Sequence, residues 1–135
     1  MTEYKVDFIA WNRNKKKIIS FKDLVYFYNL KNVLIRPDMC EMDLMTYTGY
    51  TTLEDNQKIY SDFIVLCRHY TSTEKSPKII MGVVEFNDCR YVINDGFITH
   101  HIIWSDWDIE VLGNKYENPE MYEKIINEEE DITWY

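Results

Sequence analysis

Five side chains of this sequence are of the types that bind a soft metal or build a cysteine nucleophile. Cys67 and His69 alternate along one predicted strand and so share a face, while Cys89, His100 and His101 are residues a folded sheet could bring alongside them. Closed zinc sites usually draw their ligands in tight pairs from turns, and cysteines separated by 27 and 22 positions offer no C-x-x-C pair. A cysteine nucleophile needs a histidine in contact and a donor for the oxyanion, and no family signature surrounds any of the three thiols. They read as ordinary core or edge residues, reduced in a cytoplasmic protein. Asp106, Asp108 and Glu110 form a second constellation, three carboxylates on one strand face. Cation binding or glycoside hydrolysis would need two acids held at a fixed separation across a cleft, whereas a solvated outer face needs nothing. The expectation is therefore no catalytic residue, no metal ligand and no cofactor.

Charge and aromaticity point instead to surfaces. The chain of 135 residues carries 15 basic and 23 acidic side chains, a net charge of -8. Between Glu120 and Asp131 six acids face one base, so this stretch contributes -5 and the rest of the chain -3. Near the other end Arg13, Lys15, Lys16 and Lys17 put four positive charges within five residues, opposite in sign to Glu128, Glu129, Glu130 and Asp131. Trp134 and Tyr135 follow the acids, and each such ring can bury on the order of 150 to 250 Å². These ten residues are the candidate interaction site: the acidic-aromatic tail covers itself in a groove of its own chain or reaches the basic group of a neighbouring subunit. The 4 Trp, 11 Tyr and 6 Phe could also stack bases on a small barrel, which makes nucleic-acid binding the alternative. The negative total disfavours it, because that affinity comes mainly from Lys and Arg neutralising phosphates.

The elements that must hold these residues are mostly strands. Tyr4, Val6, Phe8 and Ala10 alternate with polar residues, Asn12–Lys17 supplies a turn, and Ile18–Phe21 resumes a β-like run, predicting a hairpin with the basic group at its tip. Asp23–Arg36 is ambiguous: Leu24, Phe27 and Tyr28 fit a helical stripe, but the aromatic and β-branched composition favours two strands turning at Asn29–Asn32. Leu44–Thr48, turning at Gly49, then Ile59–His69, Ile79–Phe86, Arg90–Ile93, Phe97–Trp104 and Ile109–Leu112 complete the predicted strands, with Asn94-Asp95-Gly96 as the strongest hairpin turn. Asn118-Pro119-Glu120 opens the one convincing helix, with Met121, Tyr122 and Ile125 on one side and an end near Asn127. Four Gly, three Pro and no apolar run of 18 residues predict one soluble domain over 1–135, a body to residue 127 and a tail beyond it.

Two segments carry a resemblance. Thr48-Gly49-Tyr50, Asn56-Gln57-Lys58-Ile59-Tyr60 and Ile64-Val65 resemble the TGL-KD-NGK-IYEGDIV signature of the YopX proteins of phages and prophages of Gram-positive bacteria. Glu110–Glu120 resembles the same family's closing EVIGNIYENPEL, Gly82–Phe86 its GVVEF strand, and Phe8–Trp11 with Lys15–Lys17 its opening FRAWDKKNKKM. One extra residue separates Thr48-Gly49 from Ile59-Tyr60, and Ser61-Asp62-Phe63 stands where the family usually has Glu-Gly-Asp, which predicts a tight turn of different shape. The resemblance implies an all-β fold mixing barrel-like and sandwich-like antiparallel sheets, a phage origin and the bacterial cytoplasm, and it brings no established activity. In that setting the tail acids could also imitate phosphate and block a host DNA-binding protein. The leading expectation is a non-enzymatic module that works by protein–protein contact, with itself and with a host or phage protein, and has no membrane partner.

Overall fold

The computed structural model describes residues 7–70 and 76–127, and the chain divides into two compact units between Tyr47 and Thr48. In the first unit β1 (Phe8–Asn12) lies between β2 (Lys17–Ile19) and the first half of β3 (Met42–Thr51), antiparallel to both, so that Ala10 stands opposite Ile19 on one side and Leu44 on the other. This is the expected hairpin from Phe8 onward; Tyr4 and Val6 lie outside the described residues. Phe8, Ala10, Ile19 and Met42 on the strands bury Leu24 and Val33, and Phe21 meets Phe8 edge to face at 5.0 Å.

Leu24 and Val33 belong to two short helices, α1 (Phe21–Phe27) and α2 (Leu30–Ile35), where two strands were expected between Asp23 and Arg36. The reason is local. Ser20 Oγ accepts from the Asp23 N–H at 3.2 Å and Asn29 Oδ1 accepts from the Asn32 N–H at 3.2 Å, each satisfying a backbone donor that a starting helix leaves free. Caps outweigh the modest strand preference of Val25-Tyr26-Phe27 because β propensity mostly expresses side-chain packing, and these side chains pack little.

In the second unit the far half of β3 borders β4 (Lys58–Tyr60), and β5 (Phe63–His69), β6 (Lys78–Asn87), β7 (Arg90–Asn94), β8 (Thr99–His100) and β9 (Asp108–Asn114) form a five-stranded antiparallel sheet in the order β8-β7-β6-β5-β9. Strand β5, paired with β6 on one side and β9 on the other, is buried from Phe63 to Cys67. The helix α3 (Pro119–Ile126) starts and stops where predicted and lays Ile125, with Met121 and Tyr122, on Ile64 and Val83 of the sheet. The all-β class with a short C-terminal helix thus holds, with two antiparallel sheets, one curled like half a barrel.

Three strand expectations are revised. Gly49 is passed within β3 at φ +90°, not at a turn, and Ile59–His69 is broken at Ser61–Asp62 into β4 and β5. Of Phe97–Trp104 only Thr99–His100 is strand, because Trp104–Asp106 winds into a single 3₁₀ turn. Asp106 consequently leaves the strand, and only Asp108 and Glu110 alternate on β9.

Candidate interaction surface

The basic tip is built by Asn12. Its Oδ1 accepts from the N–H groups of Asn14 (3.0 Å) and Lys15 (2.9 Å), while its carbonyl accepts from Lys16 N–H at 2.7 Å. Lys16 takes the left-handed position at φ +53°. Arg13, grouped with the lysines by sequence, is drawn away from them: its Nε donates to Asp43 Oδ2 at 3.0 Å and its Nη2 to Asp38 Oδ1 at 2.9 Å. Donating first to Asp43 and then to Asp38 holds the guanidinium above its ordinary value. Lys15 Nζ sits 5.8 Å from the centre of the Tyr28 ring. Lys16 and Lys17 make no ion pair among the described residues, so the tip offers fewer outward cations than its composition implies. Glu128, Glu129, Glu130, Asp131, Trp134 and Tyr135 lie outside the described residues.

Beyond the tip, α1 and α2 each fully bury one residue, Leu24 and Val33, pack Phe21 and Leu30 beside them, and leave the remainder exposed. Six large apolar side chains between residues 25 and 39 are exposed: Val25, Tyr26, Phe27, Leu34, Ile35 and Met39, with Phe27 77% and Met39 76% accessible. Exposed cations accompany them at Lys22, Lys31 and Arg36. Charge divides along the same line. Up to Tyr47 eight basic residues face six acidic ones, a net +2, whereas from Thr48 onward seven face seventeen, a net -10. The negative surplus is therefore not confined to the tail: the first unit is mildly basic and the second strongly acidic. Strand reasoning missed this surface, since alternation would have turned half of these side chains inward. The pairs Ser20 with Asp23 and Asn29 with Asn32, at cap spacing, were the available signal.

The other candidates resolve into separate roles. Cys67 is buried and burial pushes its thiol up to about 12, which removes the thiolate on which nucleophilic chemistry depends. His69 leans on Trp107 with ring centres 5.0 Å apart, and Cys89 is exposed at the β6–β7 turn with φ +62°. His100 Nε2 lies 2.7 Å from Asp95 Oδ2, and His101 Nδ1 is 3.2 Å from Arg90 Nη1. Burial pushes the Asp95 carboxyl up, but hydrogen bonds from His100 and from the N–H groups of Ile98 and Phe97 outweigh it, leaving the group below its ordinary value. Among the described residues no three of the His, Cys, Asp and Glu side chains gather as a metal site would require. Asp108 and Glu110 border a polar depression of about 110 Å³ together with Arg68, Thr52 and the Glu54-Asp55 turn. There Glu110 reaches Arg68 at 3.5 Å, and the Thr52 hydroxyl is hydrogen-bonded to Asp55.

The residues that carried the family resemblance prove to be framework. Thr48 Oγ1 donates to the Ile59 carbonyl at 2.8 Å, tying β3 to β4. Asn114 Oδ1 accepts from Tyr116 N–H (3.0 Å) and Glu117 N–H (2.9 Å), and Asn118 turns its Oδ1 back to Asn114 N–H at 3.1 Å instead of capping α3. A Cβ at Gly113 would stand 2.6 Å from Asn118 Cγ, so glycine is required there by close approach. Asp62 occupies the left-handed position (φ +67°) that the family signature fills with glycine, and the Tyr116 hydroxyl donates to its Oδ2 at 2.8 Å.

These features define a small β-sheet protein whose polar motifs are spent on turns and caps and whose outstanding surface is an apolar, cation-flanked helical face. Comparison with known families matches residues 7–123 to the family described as YopX protein, and the chain belongs to it. Among solved structures, the crystal structure of protein EF1440 from Enterococcus faecalis is similar at a TM-score of 0.56 and 15% identity, covering 88% of this chain and 99% of that one; at that identity it speaks for the fold. A search of curated proteins finds no match.

Proposed function

We propose that the protein is a phage-derived, non-enzymatic interaction module of the bacterial cytoplasm that acts through the α1–α2 face and associates with a second copy of itself. The observation that carries this reading is the exposure of Tyr26, Phe27, Leu34 and Ile35 on two helices that fully bury only one residue each, with Met39 exposed in the turn beyond them. Soluble monomers seldom leave so many large apolar side chains in water within one short stretch, and such patches commonly mark protein contacts. Aliphatic members favour a protein over a nucleic acid, since bases stack on rings and gain little from Leu34, Ile35 or Met39. Sedimentation of the full chain over a range of concentrations tests the proposal. A dimer is expected that Phe27→Ser with Ile35→Ser weakens at least tenfold while the circular dichroism is unchanged; a monomer at all concentrations sinks self-association.

A second reading has its own observation: Tyr26 and Phe27 are exposed in the same unit as Lys16 and Lys17, which make no ion pair among the described residues. Single-strand binding by that unit requires retention of labelled oligonucleotide on filters at low salt, lost on Lys15→Glu with Lys16→Glu. No retention by the parent chain removes it.

A further inference from the structure

We propose that the α1–α2 face of one copy receives the C-terminal segment of a second copy, with Trp134 and Tyr135 as apolar anchors and Glu128, Glu129, Glu130 and Asp131 set against Lys22, Lys31 and Arg36. This rests on the reading of that face as an interaction surface and names its occupant.

Exposed apolar side chains interspersed with exposed cations ask for a ligand that is both apolar and acidic. Val25, Tyr26, Phe27, Leu34, Ile35 and Met39 are exposed, and the cations of the same helices make no ion pair among the described residues. The chain carries one stretch of that chemistry outside the described residues, four consecutive acids followed by Ile132, Thr133, Trp134 and Tyr135 at its end. Its acids find the basic hairpin tip partly occupied, because Arg13 is held by Asp38 and Asp43 and Lys15 lies over Tyr28. Lys22, Lys31 and Arg36 have no such engagement among the described residues. Phe27 is 77% and Ile35 65% exposed, so both stand ready to receive the apolar anchors of a second copy.

Size agrees as well. Two aromatic anchors bury roughly 300 to 500 Å² between them, and the face they cover loses a similar area. Exchange between two copies doubles this to roughly 1,200 to 2,000 Å², the range of stable interfaces. Each copy brings one tail and one face, so a two-fold pair leaves neither exposed.

Two full-length variants decide it, each compared with the parent by sedimentation and circular dichroism. The tail variant is Trp134→Ala with Tyr135→Ala; the face variant is Phe27→Ser with Ile35→Ser. Each alone is expected to raise the dimer dissociation constant at least tenfold with the parent's spectrum. Mixed in equal amounts, they should form a heterodimer more readily than either forms a homodimer, since one intact tail then meets one intact face. If a face variant alters the spectrum, charge reversal at Lys22, Lys31 and Arg36 to Glu replaces it. A tail variant that dimerises like the parent while the face variant does not overturns the tail as occupant and leaves the interaction surface standing. A parent that is monomeric, or a dimer insensitive to both variants, overturns both.

Discussion

Chemistry at the level of single residues is settled by burial. Cys67, Cys40 and Cys89 are buried, half-buried and exposed respectively, and burial pushes the Cys67 thiol up to about 12. Thiolate fraction and access both set reaction rate. A thiol reagent at neutral pH is therefore expected to modify Cys89 first and Cys40 more slowly, with Cys67 reacting only after denaturant is added. Mass spectrometry of the quenched protein reads the order, and prompt labelling of Cys67 would contradict its place in the β5 core. The sequence offers no paired spacing among these thiols. It did not indicate which thiol is exposed, since Cys89 owes its exposure to a turn in which Asp88 and Cys89 both adopt positive φ (52° and 62°). Asp and Cys at those positions give no composition cue of the kind that Asn94-Asp95-Gly96 gives to the next turn.

At the scale of elements, the difference between what was legible and what was not follows the source of each element's stability. Strands β1, β5, β6 and β7 were readable because one or both of their faces are packed, and packing writes a pattern into the residues. The helix α3 was readable from Pro119 and the one-sided Met121, Tyr122 and Ile125. Helices α1 and α2 were not, because their inward side chains are few, Phe21, Leu24, Leu30 and Val33, and apolar residues also fill their outward positions, which blurs the helical period. Their caps fix where they start. Ser20→Ala and Asn29→Ala should each lower stability by roughly 0.5 to 2 kcal/mol, and hydrogen exchange should show the loss as faster exchange within α1 or α2. Exchange unchanged in both helices would show that the caps contribute nothing. Where helices are held this lightly, their outward residues are not constrained by the core beneath them, which is why a surface for another molecule can be written there.

For the whole molecule, the uneven division of charge matters more than its total. A basic first unit and an acidic second unit, +2 and -10, let copies of one chain attract each other although each carries a net -8. Attraction between exposed charges is screened over about 10 Å at 0.1 M salt. Association is therefore expected to weaken as salt rises from about 0.05 M to about 0.5 M, with the apolar anchors leaving a residue of binding that salt does not remove. A dissociation constant that stays flat or falls across that range would place the interface elsewhere. Composition alone located the acidic end and the basic group but not the boundary between the units, which falls inside β3 where the strand runs on without a break in its pattern.

Asp62 shows how such a framework constrains its own history. A residue with a side chain sits in a backbone conformation that costs it of order 1–3 kcal/mol, and its carboxylate offsets part of that cost by accepting from Tyr116, 54 positions away. Glycine at that place would relax the backbone and at the same moment remove this hydrogen bond from the hydroxyl. The two positions are consequently not free to drift one at a time: whichever changes first decides whether the other is neutral or harmful, so ancestry, and not only present fit, governs which substitutions this lineage tolerates.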